Sequence, residues 1–519
     1  MSGLSSSDEN VRNLISSLLP ILSNCEERLS SQNVSNALYS LINKDINDGI
    51  EVEKLIILIT KFIIRSDCSL SGQALTNSIY ALQNMKSNCN VVRKLISAIT
   101  RLIIRAKPEI SKGQLISNCL YGLQNCRSLH YQVRELLAAL LPHFRLVTSS
   151  VTNQHISNAL YGLQGLSCYY EEVKLVVKEV TRLCSFCSEG FTSQGVGNAI
   201  YGLQSLQETT PEVRALLREM IKKINLCDEI LKPQELANAL FGLQSLSNEN
   251  LTEVGDLIKA IERQSLKCSE MQWSSNHIQQ VFGLQLCVNS EEIVGLLAVI
   301  KQKILSCSTF QSFQELGNCL YGINRLVISN KDAAEIALYL CSKIDINEIR
   351  SGNKCDKDYR ALIQGLIPLT TPSIDETLRN CAQRILNELL TTYQNNFIQN
   401  ENEELSSHEK NKQNKLEKSL KDFKNIKISM NQFILGYSYD ILIEIHDSID
   451  EEIKSQRDYK IIDVEIDGPN HLTNRSKHYG NIRDKYLQSH EIMVLRYDLM
   501  KESEFSFDDF ILLLKSYIQ

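Results

Sequence analysis

The sequence predicts a mostly α-helical protein: an α-solenoid of about nine two-helix repeats of about 40 residues, followed by a small α/β domain. A short motif, Q-H-I-S-N-A-L-Y-G-L-Q at residues 154–164, returns in related forms over most of the chain. Its apolar residues follow the period of a helix. After Pro372 this periodicity ends, and apolar runs typical of β-strands follow.

One asparagine per repeat sets the register of the copies. The spacing is 40 or 41 residues, with one gap of two periods, in the series Asn36, Asn77, Asn118, Asn158, Asn198, Asn238 and Asn318. A weaker copy around Gln279, Phe282 and Gly283 fills the gap, and an eroded ninth copy lies at residues 361–366. Such periods are typical of solenoids, in which each repeat stacks on its neighbours.

Each motif predicts a helix with two distinct faces. One face is apolar and predicts core, with Ile156, Ala159, Leu160 and Leu163. Gln154, Asn158 and Tyr161 form a second stripe almost opposite. Stacked repeats turn this stripe into three ladders, formed by the Asn series above, by Gln32, Gln73, Gln114, Gln154, Gln194, Gln234 and Gln314, and by Tyr39, Tyr80, Tyr121, Tyr161, Tyr201, Phe241 and Tyr321.

A glycine follows the aromatic residue in most copies, as Gly162 does in the motif above. Glycine costs a helix interior about 1 kcal/mol relative to alanine. Because it recurs despite this cost, we expect the backbone of a neighbouring repeat to approach closely there.

A second helix precedes each motif, at residues 10–22, 91–104, 132–141, 172–184, 211–224, 251–264 and 291–304. These first helices carry cations, whereas the ladders are uncharged. The candidates for phosphate contact are Arg93, Lys94, Arg134, Lys174, Lys178, Arg214, Arg218 and Lys222. A solvated surface explains such a stripe equally well, so both interpretations stay open.

Composition limits the classes of protein. A net charge of −6 and a pI near 6.0 exclude a global basic footprint, so any nucleic-acid surface must be local. The 16 cysteines are scattered, and Cys119 and Cys319 take the alanine position of the repeat, which predicts reduced core residues. Cys184 and Cys187 have no second pair at zinc-ribbon spacing. The acidic N-terminus and the absence of a long apolar run predict a soluble, intracellular protein with no membrane span.

The N-A-L-Y-G-L-Q pattern in a paired-helix unit resembles the octotricopeptide repeat and the related repeats of the Fas-activated serine/threonine kinase family, over roughly residues 9–370. The resemblance implies an array that binds single-stranded RNA. Because Asn and Tyr hardly vary, we expect them to set stacking or hold backbone, and we expect bases to be discriminated by the variable neighbours Ser117, Ser157, Gly197, Ala237 and Gly317. Similar repeats also build protein-binding solenoids.

The chain therefore divides into a helical repeat array (residues 1–372), a helical and charged linker (373–430) and a C-terminal domain (431–519). In that last domain we expect strands at residues 437–445, 459–466 and 492–497, and helices at 482–488 and 507–517.

Four strings in this domain resemble the RAP domain: Y-S-Y-D-I-L-I at 437–443, V-E-I-D-G-P-N-H at 464–471, R-D-K-Y-L at 483–487 and V-L-R-Y at 494–497. Leu472 departs from the usual Phe of the family. RAP domains resemble small members of the PD-(D/E)XK nuclease superfamily. The resemblance implies RNA binding, with Arg496 as a further candidate contact.

The resemblance also implies catalytic positions, which are Asp440 on the first strand, Glu465 and Asp467 on the second, then His471 and Lys485. Asp440, Glu465 and Asp467 would hold Mg²⁺ or Mn²⁺. Asp467 stands where the superfamily has a lysine, however, and Asp467, Gly468 and Pro469 also fit a simple turn. The sequence favours binding without catalysis or cofactor and leaves catalysis open.

Together these resemblances predict an RNA-binding protein in RNA processing, stability, ribosome assembly or translation. Its partners would be single-stranded mRNA or rRNA and a ribosomal or ribonucleoprotein assembly. A metal-dependent endoribonuclease and a protein-interaction scaffold are the alternatives. The resemblance implies a mitochondrion or other organelle, with the cytoplasm as the alternative.

Overall fold

A computed structural model describes residues 4–109, 111–149, 151–207, 209–249, 251–268, 273–397, 407–421, 423, 426–434, 437–446, 459–467, 480, 482–484, 486–488, 492–498 and 506–518. The protein is mostly helical, with a small sheet towards the C-terminus. Two compact units contain the chain: Met1–Trp273 with Leu286–Lys303, and Ser274–Gln285 with Ile304–Gln519.

In the first unit, long and short helices alternate. The long first helices are α1 (Glu9–Ser23), α3 (Ile50–Arg65), α5 (Asn90–Arg105), α7 (Tyr131–Arg145), α9 (Glu171–Phe186), α11 (Pro211–Asn225), α13 (Thr252–Lys267) and α15 (Glu291–Ser306), the last of which runs past the end of the unit. The short signature helices are α2 (Ser31–Tyr39), α4 (Gly72–Tyr80), α6 (Gly113–Gly122), α8 (Asn153–Tyr161), α10 (Ser193–Tyr201) and α12 (Pro233–Gly242). The predicted first helices are confirmed.

Local chemistry explains where the signature helices begin. The hydroxyls of Ser30, Ser71 and Thr192 each accept a hydrogen bond from the backbone N–H three residues on, as N-caps do. Pro233 occupies the first turn of α12, where its missing N–H costs nothing. Short strands β1 (Ser111–Lys112) and β2 (Val147–Ser149) pair in parallel beside α6, and 3-10 turns lie at Ile46–Asp48 and Leu243–Ser245.

Each helix packs on the equivalent helix of the next repeat. Signature helices α2 to α12 contact one another in sequence, and so do first helices α1 to α13. The predicted core face is confirmed, because Ile156, Ala159, Leu160 and Leu163 are at most 2% exposed. No repeat buries its apolar stripe alone, so neighbouring repeats stabilise one another.

The glycine after the aromatic residue allows close approach, as predicted. A Cβ added to Gly122, Gly162, Gly202 or Gly242 would lie 1.9–2.2 Å from the carbonyl oxygen of Ile79, Leu120, Leu160 or Ile200, one repeat earlier. Gly162 has φ −66° and ψ −15°, which any residue can adopt. The glycine is therefore required by the neighbouring backbone and not by its own conformation.

The second unit holds further helices and the sheet. Its helices are α14 (Ser275–Ile278), α16 (Phe313–Ile323), α17 (Lys331–Ser342), α18 (Ile346–Ser351), α19 (Asp356–Leu366), α20 (Glu376–Phe397), α21 (Ser407–Leu420) and α22 (Phe507–Ile518), with 3-10 turns Gln279–Leu286 and Ile367–Thr370. The strands are β3 (Ile426–Ile434), β4 (Tyr437–His446), β5 (Tyr459–Asp467) and β6 (Ile492–Asp498). The described residues between 482 and 488 are helical.

The sheet has the order β3-β4-β5-β6, in which only β5 and β6 pair in parallel. Its three predicted strands and the last predicted helix are present. Strand β3, however, begins at Ile426, and Leu416 and Leu420 of α21 are buried in the same core as Phe507 and Phe510. The compact domain thus starts before residue 431, because two apolar residues one helical turn apart dock an otherwise charged helix on the sheet.

Helix α20 is a second difference from the predicted linker. Leu378, Ile385, Leu389 and Tyr393 are buried, and the helix packs on α17, α18 and α19. Tyr393 donates a hydrogen bond to Asp356, and Arg360 donates one to the Tyr393 hydroxyl at 3.1 Å. In the part of the chain that the structure describes, no helix is long and apolar enough to cross a bilayer.

Replacing Gly162 by alanine should destabilise the first unit by about 2 kcal/mol or more, because a methyl group cannot fit 2.1 Å from the Leu120 carbonyl oxygen. The single tryptophan, Trp273, is buried in this unit and reports its unfolding by fluorescence in urea. Gly72→Ala is the matched control, since no atom lies within 4 Å of its added Cβ. Equal stabilities of the two variants would contradict the role given to Gly162.

Candidate functional site

Aromatic rings of successive signature helices form a continuous stack. Tyr80, Tyr121, Tyr161, Tyr201 and Phe241 follow one another with ring centroids 5.9, 5.7, 5.5 and 5.5 Å apart and interplanar angles of 19–26°. In the second unit, Phe282 and Tyr321 stack at 5.6 Å. The expectation that the aromatic ladder sets stacking is confirmed. Offset rings at this distance attract one another beyond their burial.

The stack is flanked by amides at the surface. Gln73, Gln114, Gln154, Gln194 and Gln234 are exposed, and the asparagines and aromatic rings beside them in the first unit are half-buried, except for the exposed Asn36 and Tyr39 at its start. Gln154, Asn158 and Tyr161 thus share one solvent-facing, uncharged side of α8. We call this surface, as repeated on α4 to α12, the ladder face.

The asparagines of the ladder face do not hold backbone. Within the described residues, the side chains of Asn77, Asn118, Asn158 and Asn198 make no hydrogen bond, while Asn238 accepts one from Gln234 at 2.8 Å. The expectation that the asparagine ladder fixes neighbouring backbone is therefore wrong for these four. Half-exposed amides can instead bond to water or to a ligand.

A second glutamine, at the end of the motif, joins the repeats, and the sequence analysis missed it. Gln204 donates from Nε2 to Gln164 Oε1 at 3.3 Å and accepts from Gln244 Nε2 at 3.1 Å. Gln124 donates to the Gln83 carbonyl oxygen at 3.1 Å. The signal was present, because a glutamine recurs there in the same register as the asparagine.

The variable positions beside the asparagines cannot read a ligand, and their predicted role in discrimination is wrong. Ser117, Ser157 and Ala237 are at most 3% exposed. A Cβ on Gly197 would meet the Glu235 backbone at 2.9 Å, and one on Gly317 would meet the Ala361 carbonyl oxygen at 2.3 Å. They vary in size because they pack between helices.

Two of the predicted phosphate contacts have a structural task. Arg93 donates from Nη1 to the carbonyl oxygens of Ser87 and Asn88 at 3.0 and 2.6 Å. Arg134 donates in the same way to Ser128 and Leu129 at 2.8 and 2.9 Å. Each arginine therefore orders the loop that follows a signature helix.

Four other candidates are paired with acids. Arg214 and Arg218 both bond to Glu253 Oε1, at 3.2 and 2.6 Å. Lys174 pairs with Glu171 at 3.1 Å and Lys222 with Glu219 at 2.7 Å. Hydrogen bonding by its own N–H and by Arg214 lowers the pKa of Glu253 to about 2. These cations are locally neutralised, which favours a solvated surface there, whereas Lys94 and Lys178 are exposed.

A cluster of three arginines lies beside the ladder face in the third and fourth repeats. Burial, and after it the charges of Arg93, Arg127 and Arg134, lower the pKa of His130. Arg127 follows Gln124, the joining glutamine, by three residues, is exposed, and makes no side-chain hydrogen bond or ion pair within the described residues. Sequence reasoning missed it because Arg127 lies in a loop and not on a first helix.

In the C-terminal domain, the two parts of the proposed acid site differ in what can be described. Asp440 lies in β4 and Asp467 in β5, but their side chains are outside the described part, as are His471 and Lys485. Ile441 pairs with Val464, so the backbones of Asp440 and Glu465 lie at the same end of the β4–β5 pair.

Glu465 is described, and its partner is a cation of the protein. Arg483 donates from Nη2 to Asp463 and to Glu465, the latter at 2.5 Å, and all three side chains are at most 9% exposed. Burial and then the charge of Glu465 raise the pKa of Asp463. Arg496, the remaining candidate for RNA contact, bonds Asp484 through two nitrogens at 2.8 and 3.0 Å.

Other metal sites are not found in the described part of the chain, where no three His, Cys, Asp or Glu side chains are grouped to hold an ion. All 16 cysteines are free thiols, and Cys119, Cys184, Cys187 and Cys319 are buried. Burial raises the pKa of the Cys184 thiol to about 12, so it stays protonated. The prediction of reduced core cysteines is confirmed for these four.

No model of a protein family matches the chain, and a comparison with curated proteins found no match.

Asn158→Ala should leave the stability of the first unit within about 0.5 kcal/mol of wild type, because no protein partner loses a hydrogen bond. Gln204→Ala should cost about 1–2 kcal/mol, since it removes bonds to Gln164 and Gln244. Trp273 fluorescence in urea measures both. A larger loss in Asn158→Ala than in Gln204→Ala would reverse the roles assigned to the two columns.

Arg483→Ala should destabilise the sheet by about 3–5 kcal/mol, because it leaves Asp463 and Glu465 buried without their cation. Hydrogen exchange of β4 and β5 peptides measures this, with Lys94→Ala as a control for loss of one exposed charge. The same experiment with Mg²⁺ or Mn²⁺ tests the implied metal site. Slower exchange in the wild type on adding either ion would show that the acids bind a cation in addition to Arg483.

Proposed function

We propose that the protein binds single-stranded RNA along the ladder face of a stacked helical repeat array, and acts in RNA processing, stability, ribosome assembly or translation. The observation that carries this proposal is a periodic row of half-exposed asparagine amides without protein partners, set beside a continuous aromatic stack. A ligand that satisfies such a row must itself repeat at regular intervals.

The chemistry of the row fits nucleobases. An amide side chain offers one acceptor oxygen and two donor hydrogens, and so pairs in bidentate fashion with base edges. Those edges are available only when the strand is unpaired, which is how helical repeat proteins recognise RNA. The resemblance to octotricopeptide repeats points in the same direction.

Binding also needs phosphate contacts, because the ladder face itself is neutral. The cluster of Arg93, Arg127 and Arg134 supports such contacts close to the third and fourth repeats. Arg93 and Arg134 are held in place by loop carbonyls, and Arg127 is exposed. By contrast, Glu253 and Glu219 neutralise Arg214, Arg218 and Lys222, so we expect those three to contribute less.

For the C-terminal domain we propose an RAP-like module that grips RNA without cleaving it. The contact between Glu465 and Arg483 supports this, since an arginine already neutralises a carboxylate that a catalytic metal would need. The compartment suggested by the resemblance is a mitochondrion or another organelle, with the cytoplasm as the alternative. A protein-binding scaffold remains the outcome if no RNA binds.

Arg127→Ala should weaken binding of a single-stranded RNA and lower the slope of log affinity against log salt by about 1, because one phosphate contact is lost. Filter binding at several salt concentrations measures both. Arg65→Ala is the matched control, since Arg65 is an exposed arginine at the end of α3 and belongs to neither the cluster nor the ladder face. An equal loss in the two variants would indicate general charge attraction and contradict the proposed site.

A further inference from the structure

We infer that the array prefers a uniform tract of weakly stacking pyrimidines, uridine above all, over a mixed or purine-rich sequence. This inference rests on the proposed function and names the RNA that the ladder face would take. Three properties of the ladder face lead to it: the identity of its rungs, the closed aromatic stack and the pitch of that stack.

The rungs of the first unit are almost identical. Five successive repeats present the same glutamine and asparagine, and an aromatic ring that is tyrosine in four and phenylalanine in the fifth, Phe241. The residues that do vary beside them, such as Ser157 and Ala237, are buried between helices. A mixed sequence can be read only by side chains that differ from repeat to repeat. Identical rungs therefore favour the same base at each position.

The aromatic stack is closed to insertion of bases. A base between two rings would require about twice the 3.4 Å stacking distance of nucleic acids, on the order of 7 Å. The rings from Tyr80 to Phe241 are only 5.5–5.9 Å apart and contact each other. The glycine contacts, as at Gly202, hold the neighbouring repeats together at this distance. Bases must therefore meet the amides and ring edges at the surface of the stack.

The pitch selects against strands that stack strongly. A stacked strand advances about 3.4 Å per nucleotide, so one nucleotide per repeat at 5.5–5.9 Å requires a stretched strand whose neighbouring bases have separated. The free energy of that separation is smallest for pyrimidines, because purines stack most strongly, and stacking strength is a known source of pyrimidine preference in single-strand binding. An extended peptide fits less well, since its two-residue repeat is about 6.6–6.8 Å.

The amides match the exposed edge of uracil. Uracil offers an N–H donor between two carbonyl acceptors, so one asparagine amide can accept from the N–H and donate to a carbonyl. Asn118, Asn158 and Asn198 are half-exposed and make no side-chain hydrogen bond to the described residues, so each can make this pair without breaking a bond of the protein.

The test compares binding of the full chain to oligouridine, oligocytidine, oligoadenine and a mixed-sequence RNA, each of about 10 nucleotides, which is within the site sizes of single-strand binders. Fluorescence anisotropy at one fixed salt concentration measures affinity. We expect oligouridine to bind about tenfold more tightly than oligoadenine, with oligocytidine between them and the mixed sequence close to oligoadenine.

The variant Asn118→Ala/Asn158→Ala/Asn198→Ala should lower the affinity for oligouridine at least about fivefold while urea unfolding of the first unit stays unchanged. Equal affinity of the wild type for all four RNAs, or tightest binding of oligoadenine, would overturn the pyrimidine inference while RNA binding itself stood. Absence of binding to any of the four, in a protein with an intact unfolding transition, would instead overturn the proposed function.

Discussion

The contact between one glycine and the backbone of the preceding repeat is the constraint on which the helical array depends. At Gly162 and Gly202 an added Cβ would meet a carbonyl oxygen within 2.1 Å, so no larger residue lets the signature helices approach as they do. This approach sets the ring spacing of the aromatic stack and brings glutamines such as Gln164 and Gln204 within hydrogen-bond distance. Packing, hydrogen bonding and the geometry of the ladder face thus share one cause.

Charge is distributed in a way that the overall composition hides. The chain has a net charge of −6, and many of its first-helix cations are paired, as Arg218 is with Glu253. Exposed or half-exposed pairs of this kind add little stability, but they remove positive charge from the surface. What remains near the ladder face is a small group around His130, including Arg127. The structure therefore favours a local phosphate contact, in line with the expectation from the net charge.

The C-terminal domain shows how a buried ion pair changes the meaning of a motif. The acids of β5 stand two residues apart, which is an arrangement that suits a metal, yet Arg483 reaches Asp463 and Glu465 from another element. A buried carboxylate needs a positive partner, and a guanidinium satisfies that need as a metal would. The same pattern of acids is thus compatible with a structural role.

The sequence by itself determined the helical period, the core face of each motif, the register of the ladders and three of the four strands of the C-terminal sheet. Periodicity contains this information, because each repeat solves the same local packing problem. Only the tertiary structure decided that Asn158 is without a protein partner while Gln204 joins repeats, that Ser157 is buried, and that Arg483 holds Glu465. These facts depend on distances between repeats and between strands, which no spacing along a single chain specifies.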